Sequence, residues 1–412
     1  MAEQLYFSRD SKMFIEFKGG VWEVPVLDGF SFSQATNSSE ITLSEMESTA
    51  GTSRRGRRIF NDSLAPVEWS FSTYMRPFTH ATGYTGEAAD TSDGNHHAVE
   101  EVLWAMMAGA NAYASSAFNR GGSAVTTTDG TDLDVSFAQS NISVLETGNI
   151  FFVMDTAASD PMVYKLTDAA VNEASIDFDV DGIATINWSG FAKQIFDWTA
   201  NTTVTGTDLT PASGNVGNVQ LDNDTTPYQF KLVTDASTLT TAIDEGISAT
   251  DNFVRNRLTQ LAISTSESGF DTSYTLTLTG GNITIGNNIT YLVPEELGTV
   301  NVPIENVTGA RNVTGSFTCY LVLNDSTNDG TSSDFFKDHT STTALANVNN
   351  SFGLTFKIGG TSSPKIEVAM PKCHIEIPTH SIEDVVSLET TFHGLGTNLG
   401  TADEVTLKYF GP

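Results

Sequence analysis

The sequence predicts a mainly β chain made of two tandem modules, each with a short flanking helix. Three observations carry this reading. Charged residues are only 17% of 412, below the usual quarter, and Thr, Ser, Asn and Gly fill the gap, a mix suited to short strands and polar turns. Runs with period-two alternation recur along the chain. The order of those runs in the first half then returns in the second.

Phe14 to Phe17 and Trp22 to Val26 read as short strands. Asp28-Gly29 turns the chain into Phe30–Ser33, and Asn37–Ser39 turns it again into Ile41–Leu43. Glu45 to Asn61 has no periodicity and reads as a long loop, a length that usually signals function or disorder. The strongest strand follows: Val67, Trp69, Phe71, Thr73 and Met75 share one face, with Glu68, Ser70, Ser72 and Tyr74 on the other. Val99, Val102, Leu103, Met106, Met107 and Ala110 recur at helical spacing, which predicts an amphipathic helix capped by Asp93 or Asn95. Gly121 to Asp134 reads as loop. Ile150–Val153, Val163–Leu166, Ser175–Phe178 and Ile183–Trp188 read as strands.

From about Thr199 the chain becomes rich in Thr, Asn and Asp with weak periodicity. The domain reading is therefore a first β module at 1–198, an inserted arm or small inter-domain segment at 199–252, and a second β module at 253–412. Within the second, Gly281–Ile285, the turn Asn287-Asn288 and Ile289–Leu292 repeat the order of Gly29 through Ile41–Leu43. Ser316-Phe317-Thr318-Cys319-Tyr320 echoes Ser70-Phe71-Ser72-Thr73-Tyr74. Ser333–Phe336 opens a short helix where the first half has its longer one, and Ile375–Ile377 and Val385–Leu388 match Ile176–Phe178 and Ile183–Ile186.

The balance of charge is strongly acidic, with 50 Asp and Glu against 20 Lys and Arg, a formal −30. Such a surface repels phosphate, which argues against a sequence reader but suits a surface that DNA slides past. Cys319 and Cys373 are the only cysteines, too few for a disulfide framework, so a reduced compartment is the expectation. The first residues lack an apolar signal core, and no run approaches the ~20 apolar residues of a membrane helix, so no membrane association is expected.

Candidate chemistry is sparse. Asp177, Asp179, Asp181 and Gly182 imitate the start of a calcium loop, but Trp188 stands where the bidentate Glu belongs, so a surface turn is expected. Asp129, Asp132 and Asp134 also read as turn residues. His96 and His97 lack a third metal ligand nearby and read as helix-start residues. Cys373 beside His374, with His380 and His393, is a conceivable nucleophile pair, set against a plain strand reading. No P-loop, nucleophile elbow or zinc motif occurs. The expectation is no catalytic residue, no metal and no cofactor.

What remains is Arg54, Arg55, Arg57 and Arg58, within the loop that precedes the strongest strand. They read as a solvated loop, as a weak nucleic-acid patch without interleaved aromatics, or as a docking loop onto an acidic neighbour. The matching loop of the second half, Pro294 to Val313, carries Glu295, Glu296 and Glu305, with Arg311 as its one basic residue. A second copy of the chain thus offers charge of opposite sign, and the docking reading is preferred.

The run FSFSQATNSSEITLSEM through RRGRRIFNDSLAPVEWSFSTYMRPF resembles the tail tube, or major tail, proteins of tailed bacteriophages, over roughly residues 1–200. NITIGNNITYLVPEELGTVNVPIENVTGARNVTGSFTCYL resembles a second copy of the same module. The resemblance implies a β-sandwich or barrel module with a flanking helix, six-fold rings that stack into a DNA-carrying tube, and a long loop reaching the adjacent ring. Two modules per chain imply a trimeric pseudo-six-fold ring, with a hexamer as the alternative. Implied partners are further copies of the chain, the tape measure, terminator and baseplate or tip proteins, and passing DNA without sequence-specific binding. The implied place is the virion tail, assembled in the host cytoplasm. A virion decoration or receptor-binding β protein is the alternative function.

Overall fold

A computed structural model describes residues 11–17, 20–40, 58–79, 96–108, 125–128, 132–137, 145–154, 162–197, 203–204, 219–222, 229–235, 238–241, 252–267, 269–294, 297, 300–323, 330–341, 351–398 and 401–411; at 20–21, 79, 125–128 and between 203 and 241 only the backbone is described. In chain order the strands are β1 (Lys12–Phe17), β2 (Gly20–Glu23), β3 (Ser31–Glu40), β4 (Ile59–Tyr74), β5 (Pro77–Thr79) and β6 (His96–Ala98). Helix α1 (Glu101–Met107) leads to β7 (Val125–Thr128), β8 (Asp132–Ser136), β9 (Gly148–Met154), β10 (Met162–Asp179), β11 (Thr185–Ala192) and β12 (Gln194–Asp197). Next, β13 (Thr203–Val204), β14 (Val219–Asp222), β15 (Gln229–Asp235) and β16 (Thr238–Thr241) form a sheet of their own. The second half holds β17 (Gln260–Thr265), β18 (Ser273–Leu276), β19 (Leu278–Gly286), β20 (Thr290–Leu292), β21 (Glu305–Val307) and β22 (Asn312–Tyr320). It ends with helix α2 (Ser332–His339), β23 (Phe352–Ile358), β24 (Lys365–Ile375), β25 (Thr379–Ile382), β26 (Val386–Gly394) and β27 (Thr406–Phe410). The chain is mainly β, as expected.

The strand pairings of the first half recur in the second in the same chain order. β1–β2, β1–β9, β9–β10, β10–β12, β10–β11, β11–β4 and β4–β3 pair in the first half. β17–β18, β17–β23, β23–β24, β24–β27, β24–β26, β26–β22 and β22–β19 pair in the second. α1 and α2 hold the same place in the two series. The SFSTY and SFTCY segments occupy equivalent rungs: Phe71 faces Trp188 across its ladder, and Phe317 faces Thr390.

Two ladders then join the halves. β10 pairs with β19 from Glu173↔Gly286 to Asp179↔Gly280. This makes one continuous sheet, in the order β3-β4-β11-β10-β19-β22-β26, with β24 and β25 as successive segments of its last position. At the far side β27 pairs with β8. The apolar core is likewise continuous, with Trp69, Trp104 and Trp188 in one cluster with Phe317, Phe356 and Tyr409. α1 and β27 are bound by Trp104 Nε1, which donates to the Tyr409 hydroxyl at 2.6 Å.

The alternation expected at residues 67–75 is observed: Val67, Trp69, Phe71, Thr73 and Met75 are buried while Glu68 is exposed. Other expectations need correction. The helix starts at Glu101 with Glu100 as N-cap, because His96 and His97 pair as strand β6 with β5. It is buried on every face, not amphipathic, because β27 and the core enclose it. The stretch read as loop at 121–134 contains β7 and the start of β8, so Asp132 and Asp134 are strand residues; Asp129 lies outside the described residues. The loop read as ending at Asn61 gives way to β4 already at Ile59. Ile41–Leu43, Asp93 and Asn95 also lie outside the described residues.

Val163–Leu166 and Ser175–Phe178 belong to one strand. β10 crosses from the sheet of β9 and β12 into that of β11 and β19, bending at register shifts after Leu166 and Val171, with Asp168 at φ +49°. An extra residue bends a strand without ending it. The counterpart of Ile176 is also displaced. An irregularity between Ile375 and Thr379 puts His380, opposite Leu388, on the rung that Ile176 holds opposite Ile186.

Candidate functional site

The continuous sheet has one apolar face, packed on the core, and one polar face. Period-two alternation decides this: along the rungs Ser72↔Asn187↔Ser175↔Thr284↔Thr314↔His393 every side chain is polar. The next rung, Tyr74↔Thr185↔Asp177↔Asn282↔Ser316↔Thr391, is polar too. These side chains tie to one another. Asn187 Nδ2 donates to Asp177 Oδ2 at 2.6 Å, and Ser72 Oγ donates to Asn187 Oδ1 at 2.6 Å. Asn282 Oδ1 accepts from the Ser316 amide and hydroxyl at 2.9 and 3.0 Å.

Its charge is one-sided. Glu68, Glu173, Asp177, Asp179 and Glu389 stand exposed on this face. No lysine or arginine occurs in β3, β4, β11, β19, β22, β25 or β26, or in residues 173–179 of β10. Lys372 of β24, two residues before His374, is a half-buried cation at the last position of the sheet; the hydroxyl, amide and carboxylate surface of the other strands keeps its water and offers phosphate nothing to pair with. Sequence reasoning missed this face as a unit. The alternation was legible strand by strand, but the joining of β10 to β19 was not.

The second feature is a pair of long turns at one end of the sheet, between β3 and β4 and between β19 and β22. Antiparallel order puts both at the same end. Of the basic run, Arg58 is described and exposed, while Arg54, Arg55 and Arg57 lie outside the described residues, as do Glu295 and Glu296. Glu305 sits exposed at the start of β21. Arg311 is held within the chain: its Nη1 donates to the Phe137 carbonyl at 2.9 Å and to Glu404 Oε2 at 3.2 Å, and its guanidinium lies 5.0 Å from the Phe137 ring centre. Burial lowers its pKa against the pull of Glu404.

The second turn is not free either. It folds back over the first half. Asn306 accepts from the Leu145 amide at 2.9 Å and donates to its carbonyl at 3.1 Å. Asn172 Oδ1 accepts from the Ile289 amide at 2.8 Å, and Tyr291 donates its hydroxyl to the Asp168 carbonyl. Further out, the Leu64 amide of β4 donates to the Asn301 carbonyl at 2.8 Å. The second turn thus touches strand β4. Ile59 and Phe60 of β4 and Leu297, Val300 and Ile304 of the second turn stand exposed.

The remaining candidates do not assemble. Asp177 and Asp179 end β10, and Asp181 and Gly182 form the turn to β11, with Gly182 at φ +112°. His96 Nδ1 lies 3.2 Å from Asp132, and His97 Nδ1 lies 3.0 Å from Glu101. Cys373 and Cys319 are buried, which pushes each thiol up to about 12, far from the thiolate a nucleophile needs. His374 faces His393 across the ladder, on the face opposite Cys373. His380 lies edge-on to Phe336 at 4.4 Å. Among the described residues no cluster of three or more His, Cys, Asp or Glu could hold a metal, and no helix is long and apolar enough to cross a membrane.

No family model matches the chain. Among curated proteins, the tail tube protein pb6 of Escherichia phage T5 is 27% identical over 399 residues, covering 95% of this chain and 72% of that protein.

Proposed function

We propose that this chain, similar over 95% of its length to a phage tail tube protein, is itself a tail tube protein of a tailed bacteriophage, and that three copies close into each ring of the tube. The observation that carries the proposal is the recurrent ladder. Each half contributes four strand positions to one sheet, and the β10–β19 ladder joins the halves side by side, as neighbouring modules of a ring would be in this reading. The halves are thus read as duplicated tube modules, at 1–198 and 253–412, with 199–252 as an insertion between them. Three copies of the sheet supply the strands of a closed barrel with pseudo-six-fold symmetry. Closure removes the two sheet edges that a lone chain leaves unpaired.

The polar face lines the lumen in this reading. Glu68, Glu173, Asp177, Asp179 and Glu389 then point toward the DNA, a polyanion with one charge per about 1.7 Å of duplex. Passage without adhesion is the physical requirement, and a face whose strands β3, β4, β11, β19, β22, β25 and β26 carry no lysine or arginine suits it. No catalytic step is assigned. Tape measure, terminator and baseplate or tip proteins are proposed as contacts of the tube, and the host cytoplasm as the place of assembly.

Rings stack through the end that carries the long turns. Arg54, Arg55, Arg57 and Arg58 are proposed to meet carboxylates of the adjacent ring, with Glu295, Glu296 and Glu305 as their acidic counterparts. Arg311 serves the chain's own fold. Rotational averaging of end-on electron micrographs of tubes built from this protein tests the ring. Six lobes repeating with three-fold symmetry support it; six identical subunits, or absence of the protein from the tube wall, rule it out.

A further inference from the structure

We propose that β25 of one copy pairs antiparallel with β3 of the next, in the register that β10 and β19 already display inside the chain. This rests on the ring reading above and specifies its contact. The recurrent ladders fix the transfer. Ser70 and Ser316 share a rung position, so Ser31, opposite Ser70, corresponds to Asn282, opposite Ser316. Likewise Thr185 corresponds to Ser387, so Asp177 corresponds to Ser381. Asp177 faces Asn282 within the chain. The equivalent pair between chains is therefore Ser381 with Ser31.

The neighbouring rungs follow. Ser175↔Thr284 transfers to Thr379 with Ser33, the same two residue types exchanged; within the chain these hydroxyls lie 3.3 Å apart. Ile176↔Ile283 transfers to His380 with Phe32, and Phe178↔Gly281 to Ile382 with Phe30. Pro378 has no N–H to give, so the ladder ends there.

Burial supports the assignment. At the internal junction Ile176 and Ile283 are 0% exposed and Phe178 4%. At the free edge all four residues of β25 are exposed, and Ile382, which holds the position of Phe178, is 80% exposed. Among the described residues β3 pairs only with β4, and β25 only with β26. An open edge with an uncovered isoleucine is a strand-addition site. Its occupant is the edge whose counterpart already fills the equivalent place in the same chain.

Disulfide trapping tests the register. Both serines lie on the polar face, and directly opposed rungs fall within disulfide reach. The S31C/S381C variant, assembled and oxidised, is expected to give covalent three-chain closure, and a mixture of the two single variants to give dimers only. A hydrogen-exchange measurement on the unmodified protein accompanies it: amides of 379–382 become protected on assembly. Rings without the S31C/S381C cross-link, or with S33C/S381C cross-linking faster, overturn the register while leaving the ring reading intact. Tubes without any ring of three chains remove the ring reading and this contact with it.

Discussion

Trp69 lies so close over Gly190 on the adjacent strand that a Cβ there would sit 2.3 Å from Trp69 Cζ2 and 2.2 Å from the Ala170 carbonyl oxygen. The second half carries the same contact with the partners exchanged. A Cβ on Gly315 would sit 2.4 Å from Phe392 Cζ and 2.2 Å from the Asn282 carbonyl oxygen. Trp69 and Gly315 hold equivalent rungs, as do Gly190 and Phe392. The large ring and the bare backbone have changed strands while the packing of the pair is kept.

Gly190→Ala is therefore expected to destabilise the protein by about 1–3 kcal/mol or more, since overpacking displaces both ring and strand. The urea midpoint checks this, and Trp69→Leu added to Gly190→Ala should recover part of the loss. An unshifted midpoint for Gly190→Ala would mean that the ring has room to move.

Trp69→Ala alone should cost about 3–5 kcal/mol, as deletion of a buried aromatic does. Its indole is 2% exposed, and Nε1 donates to the Phe191 carbonyl at 3.2 Å. A melting temperature equal to that of the unaltered protein would place this ring outside the core.

Residue-level patterns were legible where local periodicity and tertiary burial agree. The strand of Trp69 and Phe71, the SFTCY echo and the short helix at Ser333–Phe336 are of that kind. The helix after Val99 was found, but its first turn was misjudged because His96 and His97 are taken into β6 by β5. β8 was not legible because its short run, Asp132–Ser136, is held between β7 just before it and β27 far along the chain, and no local signal marks the distant pairing. The polar face was hidden for the same reason. Glu68, Asp177 and Glu389 are dispersed in sequence and share a surface only through the β10–β19 and β22–β26 ladders. Arg311 looked like a loop cation, yet Phe137 and Glu404, both distant in sequence, hold it.

Stability should depend on pH through Glu100. Burial pushes its carboxyl up to about 7 from 4.5, beside Tyr409 and within the field of Arg76. The folded state therefore holds a proton that the unfolded chain releases above 4.5. The stabilisation is full below that pH, falls as pH rises through about 7, and is level beyond. The change is at most roughly 3 kcal/mol at 1.36 kcal/mol per pKa unit. Glu100→Gln should flatten this slope in denaturation series between pH 5 and 8; a profile parallel to the unaltered protein would contradict the assignment.

Changing Glu68, Asp177 and Glu389 together to Lys should make the polar face bind duplex DNA. Affinity should fall with salt, at a log–log slope of about −0.9 per phosphate contacted. The unaltered protein should show no such binding. Filter binding at several salt concentrations reads both, and equal retention of the two proteins would show that this face does not meet DNA.

Changing Arg54, Arg55, Arg57 and Arg58 together to Glu is expected to leave the fold intact, read as a cooperative melting transition close to that of the unaltered protein. Tube length should drop sharply. Tubes of ordinary length would remove the basic run from the stacking contact.

The count of chains in one ring bears most directly on the reading of two modules per polypeptide. Mass per length by scanning transmission electron microscopy, combined with the axial repeat of the tube, gives that count. With a chain of 44.2 kDa, three copies predict about 133 kDa in each six-lobed layer. Twice that mass in each layer, six chains to a ring, would contradict the account.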